Sequence, residues 1–317
     1  MDRDPFRLAA LATTAASGGR TGSSPGGKSV HVLPKSAAIK RLCFDDATGR
    51  LRPNLVLVDD QGSVVFEINE LGLKGAARDP ARKLAVVWGD SVVFGVGWSW
   101  PCLIDELAPG WQFLNGGIEG DPYDNVLRRA AAFGRAQAVG LNIVMPGWHP
   151  AGIPARLADR PKRPLEKLWR SIVAGRPAVP ELAATHDTLG DALASFVGAH
   201  PNTVLATMPT ALNPAIVERD LSGYFASGHR DRVFYFAGDL PYSLVVQRHL
   251  FAHVSERNAI VRAVAQASGT ALVDLAAVFA TTGIDDFRDD FFDMLHLRPR
   301  AYAKAARAVY DRISHLL

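Results

Sequence analysis

The stretch Leu84-Ala85-Val86-Val87-Trp88-Gly89-Asp90-Ser91 is an apolar run that stops at a glycine and then presents a serine. Such a run is typical of a strand that is buried on both faces in a parallel sheet. Gly89 permits a tight turn, and Val92-Val93-Phe94 can begin a helix directly after it. The Ser91 hydroxyl would then lie at a helix N-terminus, where backbone N–H groups favour negative charge. A serine that merely caps the helix would give the same short motif.

Strands and helices alternate through most of the chain that follows. We predict them from apolar runs and from apolar residues that recur with helical periodicity. The predicted strands are Leu84–Trp88, Trp111–Leu114, Leu141–Met145, Thr203–Met208, Val233–Ala237 and Ala271–Leu275, and the predicted helices are Asn125–Gln137, Thr188–Ala199, Leu244–Ser268 and Tyr302–Leu316. The alternation predicts an α/β fold, a three-layer α/β/α sandwich with a mainly parallel sheet. Ligands bind such sheets beyond the carboxyl ends of the strands, where Ser91, Gly117 and His149 would share one rim.

Other segments precede or interrupt this alternation. Residues 1–28 end in a stretch rich in glycine and serine and are expected to form a flexible tail. Residues 29–78 are predicted to form a β-rich lead-in that contains a hairpin. Residues 79–317 would form the main domain, with a proline-rich insertion at about 150–182. Such an insertion is more often a cap or a lid than a separate domain.

Composition and charge argue against several classes of protein. The chain has 317 residues, of which 48% are hydrophobic and 21% charged, and its net charge of +3 is too small to indicate binding of nucleic acid. No apolar run is long enough to span a bilayer. The apolar N-terminal segment is short and follows acidic residues, so we expect no signal peptide and a cytoplasmic location. Cys43 and Cys102 lie outside any CxxC pattern and are expected to be buried free thiols, although a disulfide between them also fits the sequence.

A second informative stretch, Asp293-Met294-Leu295-His296, places a carboxylate and an imidazole three residues apart near the other end of the chain. Within one turn the carboxylate could orient a ring nitrogen, and the imidazole could then act as general base toward a serine. With Ser91 earlier in the chain, the order Ser–Asp–His supplies the parts of a nucleophilic triad. The charged residues just before Asp293 would also suit an ordinary surface turn.

The joint pattern resembles the SGNH (GDSL-type) hydrolase family over roughly residues 66–313. Lys83–Gly95 is similar to that family's first block, Leu114–Gly120 to its second and Asp293–His296 to its fifth. The segment Asn69–Gly75 resembles a lead-in found in a bacterial subset related to polysaccharide O-acetylation proteins. The resemblance implies the flavodoxin-like fold of SGNH hydrolases.

The resemblance also implies a role for individual residues. Ser91 would be the nucleophile, and Asp293 and His296 would complete the triad. The backbone N–H groups of Ser91 and Gly117 would bind the oxyanion that forms when an ester carbonyl is attacked.

One block departs from the family pattern. The usual third block, Gly-x-Asn-Asp, supplies an asparagine as a further oxyanion donor, but the sequence here reads Pro146-Gly147-Trp148-His149-Pro150. His149 occupies the asparagine position by spacing, and a neutral imidazole can donate one N–H. Asn142 or Asn213 could supply the donor instead. The donor could also be missing, which would cost on the order of a hundredfold in rate.

These observations predict hydrolysis of a carboxylic ester or a carbohydrate O-acyl ester, with a small-molecule or glycan ester as substrate. Acyl transfer to a carbohydrate and a catalytically impaired binding protein are the alternatives that the lead-in and the missing asparagine suggest. No cofactor or metal is expected, because His249 and His253 lack the metalloprotease glutamate. The P-loop-like stretch Gly22–Ser29 has no convincing strand before it. The sequence does not indicate an oligomeric state.

Overall fold

The computed structural model describes residues 22–23, 27–32, 42–45, 50–59, 61–95, 97, 99–148, 180–219, 244–280 and 289–317. The side chains at 22–23, 180–187, 244–246 and 249 are outside that description. So are His149, the predicted strand Val233–Ala237, and most of the predicted tail and insertion. The sequence-based predictions for those segments stay predictions, as does the division of the chain into domains.

The N-terminal part of the described chain forms a small β structure. Its strands are β1 (Gly22–Ser23), β2 (Ser29–Val32), β3 (Phe44–Asp45), β4 (Arg50–Leu51), β5 (Leu55–Val58) and β6 (Val64–Ile68). Within the described ranges, β1, β2, β5 and β6 form one sheet in that spatial order, and β3 pairs with β4. The antiparallel pairing of β5 with β6 confirms the predicted hairpin. Phe66 and Ile68 alternate along β6 and face a small core that includes Ile118.

A parallel sheet forms the centre of the described chain after the N-terminal β structure. Its strands are β7 (Lys83–Trp88), β8 (Trp111–Asn115), β9 (Leu141–Val144), β10 (Thr203–Ala206) and β11 (Ala271–Val273). Their spatial order is β11-β10-β9-β7-β8, and every neighbouring pair is parallel. Counted from β7, this is the flavodoxin-like order 2-1-3-4-5, which places the topological switch point between β7 and β9. The predicted parallel sheet is confirmed.

Helices cover both faces of this sheet. They are α1 (Ser91–Phe94), α2 (Trp100–Leu103), α3 (Tyr123–Ala136), α4 (Pro180–Ala199), α5 (Leu244–Ser268), α6 (Leu275–Ala280) and α7 (Pro299–Ile313), with 3₁₀ turns at Ile104–Glu106 and Ser314–Leu316. One layer consists of α3, α4 and α5, whose apolar side chains pack with Val86 and Leu205. The other contains α2, α6 and α7, which pack with Ala85 and Ile143. The predicted three-layer α/β/α sandwich is therefore confirmed.

Two helices begin at a proline, earlier than the sequence pattern predicts. The predictions start at Thr188 and Tyr302, whereas α4 starts at Pro180 and α7 at Pro299. In both cases a proline is the first helical residue. Proline is tolerated there because the first N–H groups of a helix have no intrahelical acceptor, and its fixed φ suits the first turn. A proline that looks like a break is in fact a helix start.

Lys74 joins the lead-in to the parallel sheet. Its backbone bridges to Ile68 in β6 on one side and to Asn115 in β8 on the other. The Lys74 and Asn115 backbones exchange two hydrogen bonds of 2.9 Å. The Lys74 side chain is fully buried, and Nζ donates to the carbonyl oxygens of Phe94 at 2.6 Å and Gly95 at 3.2 Å. A single residue therefore connects both sheets to the end of the short helix α1.

The environment of the Lys74 amine is unusual for a lysine. The Nζ atom lies 4.6 Å from the centre of the Phe66 ring and 4.2 Å from that of Phe94. Burial lowers the pKa of Lys74 from 10.5 to about 7, against the weaker opposing influence of Cys102 and Cys43. The folded protein therefore holds this amine largely neutral at slightly alkaline pH.

Replacement of Lys74 by methionine tests the lowered pKa of Lys74 through its effect on the free energy of unfolding. Between pH 7 and 9 the unfolded chain keeps the Lys74 proton and the folded chain releases it. The free energy of unfolding should therefore rise with pH, by up to about 1.4 kcal/mol per pH unit. Lys74→Met fills a similar volume without titrating and should lack this rise. Denaturant unfolding at pH 7, 8 and 9 measures both proteins, and parallel pH dependences would contradict the lowered pKa.

Candidate active site

Ser91, Asp293 and His296 lie together in the structure, although 205 positions separate Ser91 from His296 in the chain. His296 Nε2 is 2.8 Å from Ser91 Oγ, and His296 Nδ1 is 2.7 Å from Asp293 Oδ2. All three residues are buried, with exposed fractions of 7%, 4% and 6% for Ser91, Asp293 and His296. The three predicted residues therefore form one hydrogen-bonded chain, in which a serine hydroxyl has a base within proton-transfer distance.

The end of β7 and the start of α1 set the position of Ser91. Asp90 occupies the N-cap, and its Oδ1 accepts a hydrogen bond of 3.0 Å from the Val92 N–H. Ser91 is the first residue inside the turn, so the interpretation of Ser91 as a simple capping serine is wrong. A Cβ at Gly89 would come within 2.3 Å of Val93 Cγ2. The tight turn therefore needs glycine because of close packing against α1.

The loop that carries Asp293 and His296 is closed by the Asp293 carboxylate. Its Oδ1 accepts hydrogen bonds from the backbone N–H groups of Leu295 at 2.8 Å and His296 at 2.9 Å, while Oδ2 faces the imidazole. The side chains of Phe291 and Phe292 are buried beside this loop. The loop is a buried turn, and the alternative of a solvent-exposed surface turn is wrong.

The charges of Asp293 and His296 stabilise one another. Burial by itself disfavours the imidazolium, but the Asp293 carboxylate and its hydrogen bond outweigh burial and raise the pKa of His296 above its ordinary value. Burial also acts to raise the pKa of Asp293. The neighbouring His296 and the backbone hydrogen bonds outweigh it, so the pKa of Asp293 is lowered. The carboxylate is thus held ionised, which fixes the imidazole and favours its protonation at Nε2 when a proton arrives.

Helix α5 holds the loop that follows β9. His253 Nε2 lies 2.9 Å from the carbonyl oxygen of Trp148, and Arg257 Nε donates to the carbonyl oxygen of Gly147 at 2.8 Å. The Trp148 N–H donates to Asp90 Oδ2 at 3.1 Å. Burial raises the pKa of Asp90, and the hydrogen bonds to its carboxylate oppose that rise. The loop after β9 is therefore connected to the turn that carries the serine.

The loop after β8 differs from the sequence-based prediction. The Gly117 N–H donates to Asn115 Oδ1 at 2.8 Å, so the donor that the family resemblance assigns to the oxyanion is already in use. The cause is local, because an asparagine side chain readily accepts from the N–H two residues later. Gly120 lies further along this loop with φ +69°. No described residue accepts a hydrogen bond from the N–H of Gly120 or of Ser91.

None of the described candidates supplies the oxyanion donor that the third block of the family usually provides. His149 lies outside the described residues. Asn142 lies within β9, before the strand end, and its Oδ1 accepts a hydrogen bond of 2.9 Å from Trp88 Nε1. Asn213 Oδ1 accepts from the Ala215 N–H at 2.9 Å and so closes a turn after β10. Both asparagines have structural roles, and the assignment of His149 stays a prediction.

Other sequence patterns have ordinary structural explanations. Gly22–Ser23 pairs antiparallel with Ser29 and Val30, so the P-loop-like stretch does not connect a strand to a helix. Within the described part of the chain, no group of three or more His, Cys, Asp or Glu residues could hold a metal ion. Cys43 and Cys102 are free thiols, as predicted, although Cys102 is only partly buried. Burial raises the pKa of both thiols to about 12.

No helix in the described ranges combines the length and apolar character needed to cross a membrane. The cytoplasmic location expected from the sequence stays a prediction.

Comparison with known proteins gives similarity of fold. No family model matches the chain, and no curated protein does. Among solved structures, the chain is similar to a lipase/acylhydrolase from Enterococcus faecalis, with 16% identity over 74% of this chain and 97% of that one and a TM-score of 0.44. It is also similar to an acetyl xylan esterase from Geobacillus stearothermophilus, with 17% identity over 73% and 94% of the two chains and a TM-score of 0.43. A member of the lipolytic G-D-S-L family from Veillonella parvula shares 14% identity over 73% and 98%, with a TM-score of 0.44.

Titration of the His296 imidazole tests the electrostatics of the site without any assumed activity. In the wild type, NMR should give a His296 pKa above the ordinary value of about 6.5. Asp293→Asn removes the carboxylate and leaves the burial, so the pKa of His296 should fall. A His296→Gln variant identifies the signal by its loss. An unchanged pKa in Asp293→Asn would show that Asp293 does not control the imidazole.

Proposed function

We propose that this chain is a serine-dependent acyl-ester hydrolase of the SGNH (GDSL) type. The observation that carries the proposal is the buried hydrogen-bonded chain from Ser91 Oγ through His296 to Asp293. A serine hydroxyl is a weak nucleophile at neutral pH, and an adjacent base that a carboxylate orients is the usual means of activating it. The site lies beyond the carboxyl end of β7, next to the topological switch point, where ligands bind in open α/β sheets.

The geometry supports a two-step reaction. Ser91 Oγ attacks the ester carbonyl carbon while His296 Nε2 takes the hydroxyl proton. Asp293 holds the proton on Nδ1 and stabilises the imidazolium. The imidazolium then gives its proton to the leaving alcohol, and an acyl-enzyme forms on Ser91. Water, activated by the same imidazole, releases the acid and restores the serine.

We assign the developing oxyanion to the backbone N–H groups of Ser91 and Gly120. Both N–H groups lack an acceptor in the described structure, whereas the Gly117 N–H is bound to Asn115. Backbone donors aimed at the position of the developing charge act without reorganisation during the reaction. Each such donor typically contributes about 10²- to 10³-fold in rate. His149 would be the third donor if its side chain reaches the same oxygen.

Hydrolysis is favoured over acyl transfer to a carbohydrate. The sequence feature that suggested transfer was the segment Asn69–Gly75. In the structure, Asn69 is buried and its Oδ1 accepts hydrogen bonds from the N–H groups of Leu71 at 3.0 Å and Leu73 at 3.1 Å, while Lys74 joins the two sheets. A structural role thus accounts for this segment, and no carbohydrate acceptor is needed to explain it. Carboxylic esters and carbohydrate O-acyl esters both remain within the proposed substrate class.

Replacement of Ser91 by alanine tests the proposal directly. Hydrolysis of p-nitrophenyl acetate should fall at least about 10³-fold in kcat, because alanine has no hydroxyl on which the acyl-enzyme can form. Ser63→Ala, which changes an exposed serine in the lead-in hairpin, serves as the matched control. Both variants should unfold at denaturant concentrations close to that of the wild type. Wild-type turnover by a folded Ser91→Ala protein would refute the assignment.

A further inference from the structure

Arg257 is a buried arginine whose guanidinium is only partly hydrogen-bonded. It lies in α5 with an exposed fraction of 1%. Nε donates to the Gly147 carbonyl oxygen at 2.8 Å. Nη1 and Nη2 are buried, and no described residue accepts a hydrogen bond from either atom. A guanidinium has five N–H donors, so most of its donors are left without an acceptor.

A buried guanidinium with unsatisfied N–H donors destabilises the folded protein unless a bound group supplies the acceptors. A buried charge is normally paired or fully hydrogen-bonded, because removal from water is otherwise unfavourable. Burial lowers the pKa of Arg257 to about 10, with Asp90 opposing that fall, so the group is still a cation at neutral pH. The N–H donors without an acceptor therefore carry a positive charge, which favours a negatively charged acceptor.

Asp90, Tyr123 and Glu256 act electrostatically on Arg257, but none of them accepts a hydrogen bond from Nη1 or Nη2. The Asp90 oxygens accept from the N–H groups of Val92 and Trp148, and neither oxygen is within hydrogen-bonding distance of a terminal nitrogen of Arg257. The centre of the Tyr123 ring is 5.2 Å from the guanidinium carbon. An aromatic ring covers a face of the guanidinium and cannot accept the in-plane N–H groups of both terminal nitrogens. Among the described residues, Arg257 is therefore not part of a hydrogen-bonded ion pair.

The position of Arg257 indicates a ligand rather than a packing role. Gly147 follows β9, Tyr123 begins α3 after β8, and Asp90 directly precedes Ser91 after β7. The guanidinium thus lies among the loops at the carboxyl ends of three adjacent strands. This is the rim on which the proposed nucleophile is located and at which open α/β sheets bind their ligands.

We propose that the Nη1 and Nη2 groups of Arg257 bind a carboxylate of the substrate, so that the enzyme prefers esters that carry a negative charge. This inference rests on the proposed esterase function and defines its substrate class more closely. The planar guanidinium offers two parallel N–H groups that match the two oxygens of a carboxylate, and such charge-assisted pairs are both strong and directional. The hydrogen bond from Nε to the Gly147 carbonyl oxygen holds the guanidinium in place before the substrate binds.

Paired substrates test the preference. Acetoxyacetate and acetoxyacetamide differ by a carboxylate in the alcohol part, and monomethyl succinate and methyl succinamate differ by one in the acyl part. In the wild type, kcat/KM should be about 10- to 100-fold higher for the carboxylate member of at least one pair, as expected when a charged hydrogen-bonded pair forms. Equal values within both pairs would overturn the proposal.

Variants assign the preference to Arg257. In Arg257→Gln the carboxylate-to-amide ratio of kcat/KM should fall to about 1. In Arg257→Lys the ratio should take an intermediate value, because lysine keeps the positive charge but lacks the two parallel N–H groups of a guanidinium. Arg262→Gln, on the same helix but paired with Asp274, is the matched control and should keep the wild-type ratio. A ratio that survives in Arg257→Gln would overturn the proposal.

A binding measurement separates this inference from the proposed function. Isothermal titration calorimetry with succinate requires no turnover, and the wild type should bind at least about tenfold more tightly than Arg257→Gln. Equal affinity would overturn the anion site. Succinate binding that depends on Arg257, in a protein that hydrolyses no ester, would refute the esterase function and leave the anion site in place. Ester hydrolysis that depends on Ser91 but shows no carboxylate preference would support the esterase function and refute the anion site.

Discussion

The hydrogen bond between His296 Nε2 and Ser91 Oγ is the contact on which the proposed chemistry depends. At 2.8 Å it joins a turn in the first third of the chain to a loop near its end. Both partners are buried, so neither can rely on water to complete its hydrogen bonding. The Asp293 carboxylate satisfies the other ring nitrogen and two backbone N–H groups of the same loop. One acidic side chain thereby fixes both the loop and the orientation of the imidazole.

The serine turn is held from several directions. Asp90 caps its start, and the side chain of Asn115 donates to the Val93 carbonyl oxygen at 2.8 Å. Lys74 donates to the carbonyl oxygens at its end. A helix of one turn has little stability of its own, because nucleation fixes several residues for one or two hydrogen bonds. Side chains from β8 and from the lead-in therefore supply the rigidity that α1 lacks, which makes the lead-in part of the scaffold of the site.

The sequence predicts those features that depend on local pattern. The apolar run at Leu84–Trp88 and the alternation that follows were enough for the parallel sheet, because buried parallel strands have a simple composition. Ser91, Asp293 and His296 could be identified from their order and from a family resemblance, and the structure places them in contact. Gly117 shows the limit of that approach. Whether its N–H is available depends on the side-chain conformation of Asn115, which no spacing rule specifies.

The burial of Lys74 and Arg257 could not be predicted, because charged residues are mostly exposed and their burial is decided by contacts between distant segments. Lys74 donates to the carbonyl oxygens of Phe94 and Gly95 across 20 and 21 positions of sequence. Arg257 reaches the Gly147 carbonyl oxygen across 110 positions of sequence. Each of these two residues is recognised by its unusual hydrogen-bonding environment, which only the three-dimensional structure shows.

Covalent labelling with a fluorophosphonate tests the central claim most directly, because the reagent modifies a serine that a neighbouring base has activated. Mass spectrometry of the labelled wild type should find a single phosphonylated peptide that contains Ser91, and His296→Ala should label far more slowly. An unlabelled Ser91 in folded protein, or labelling at the same rate without His296, would contradict the account.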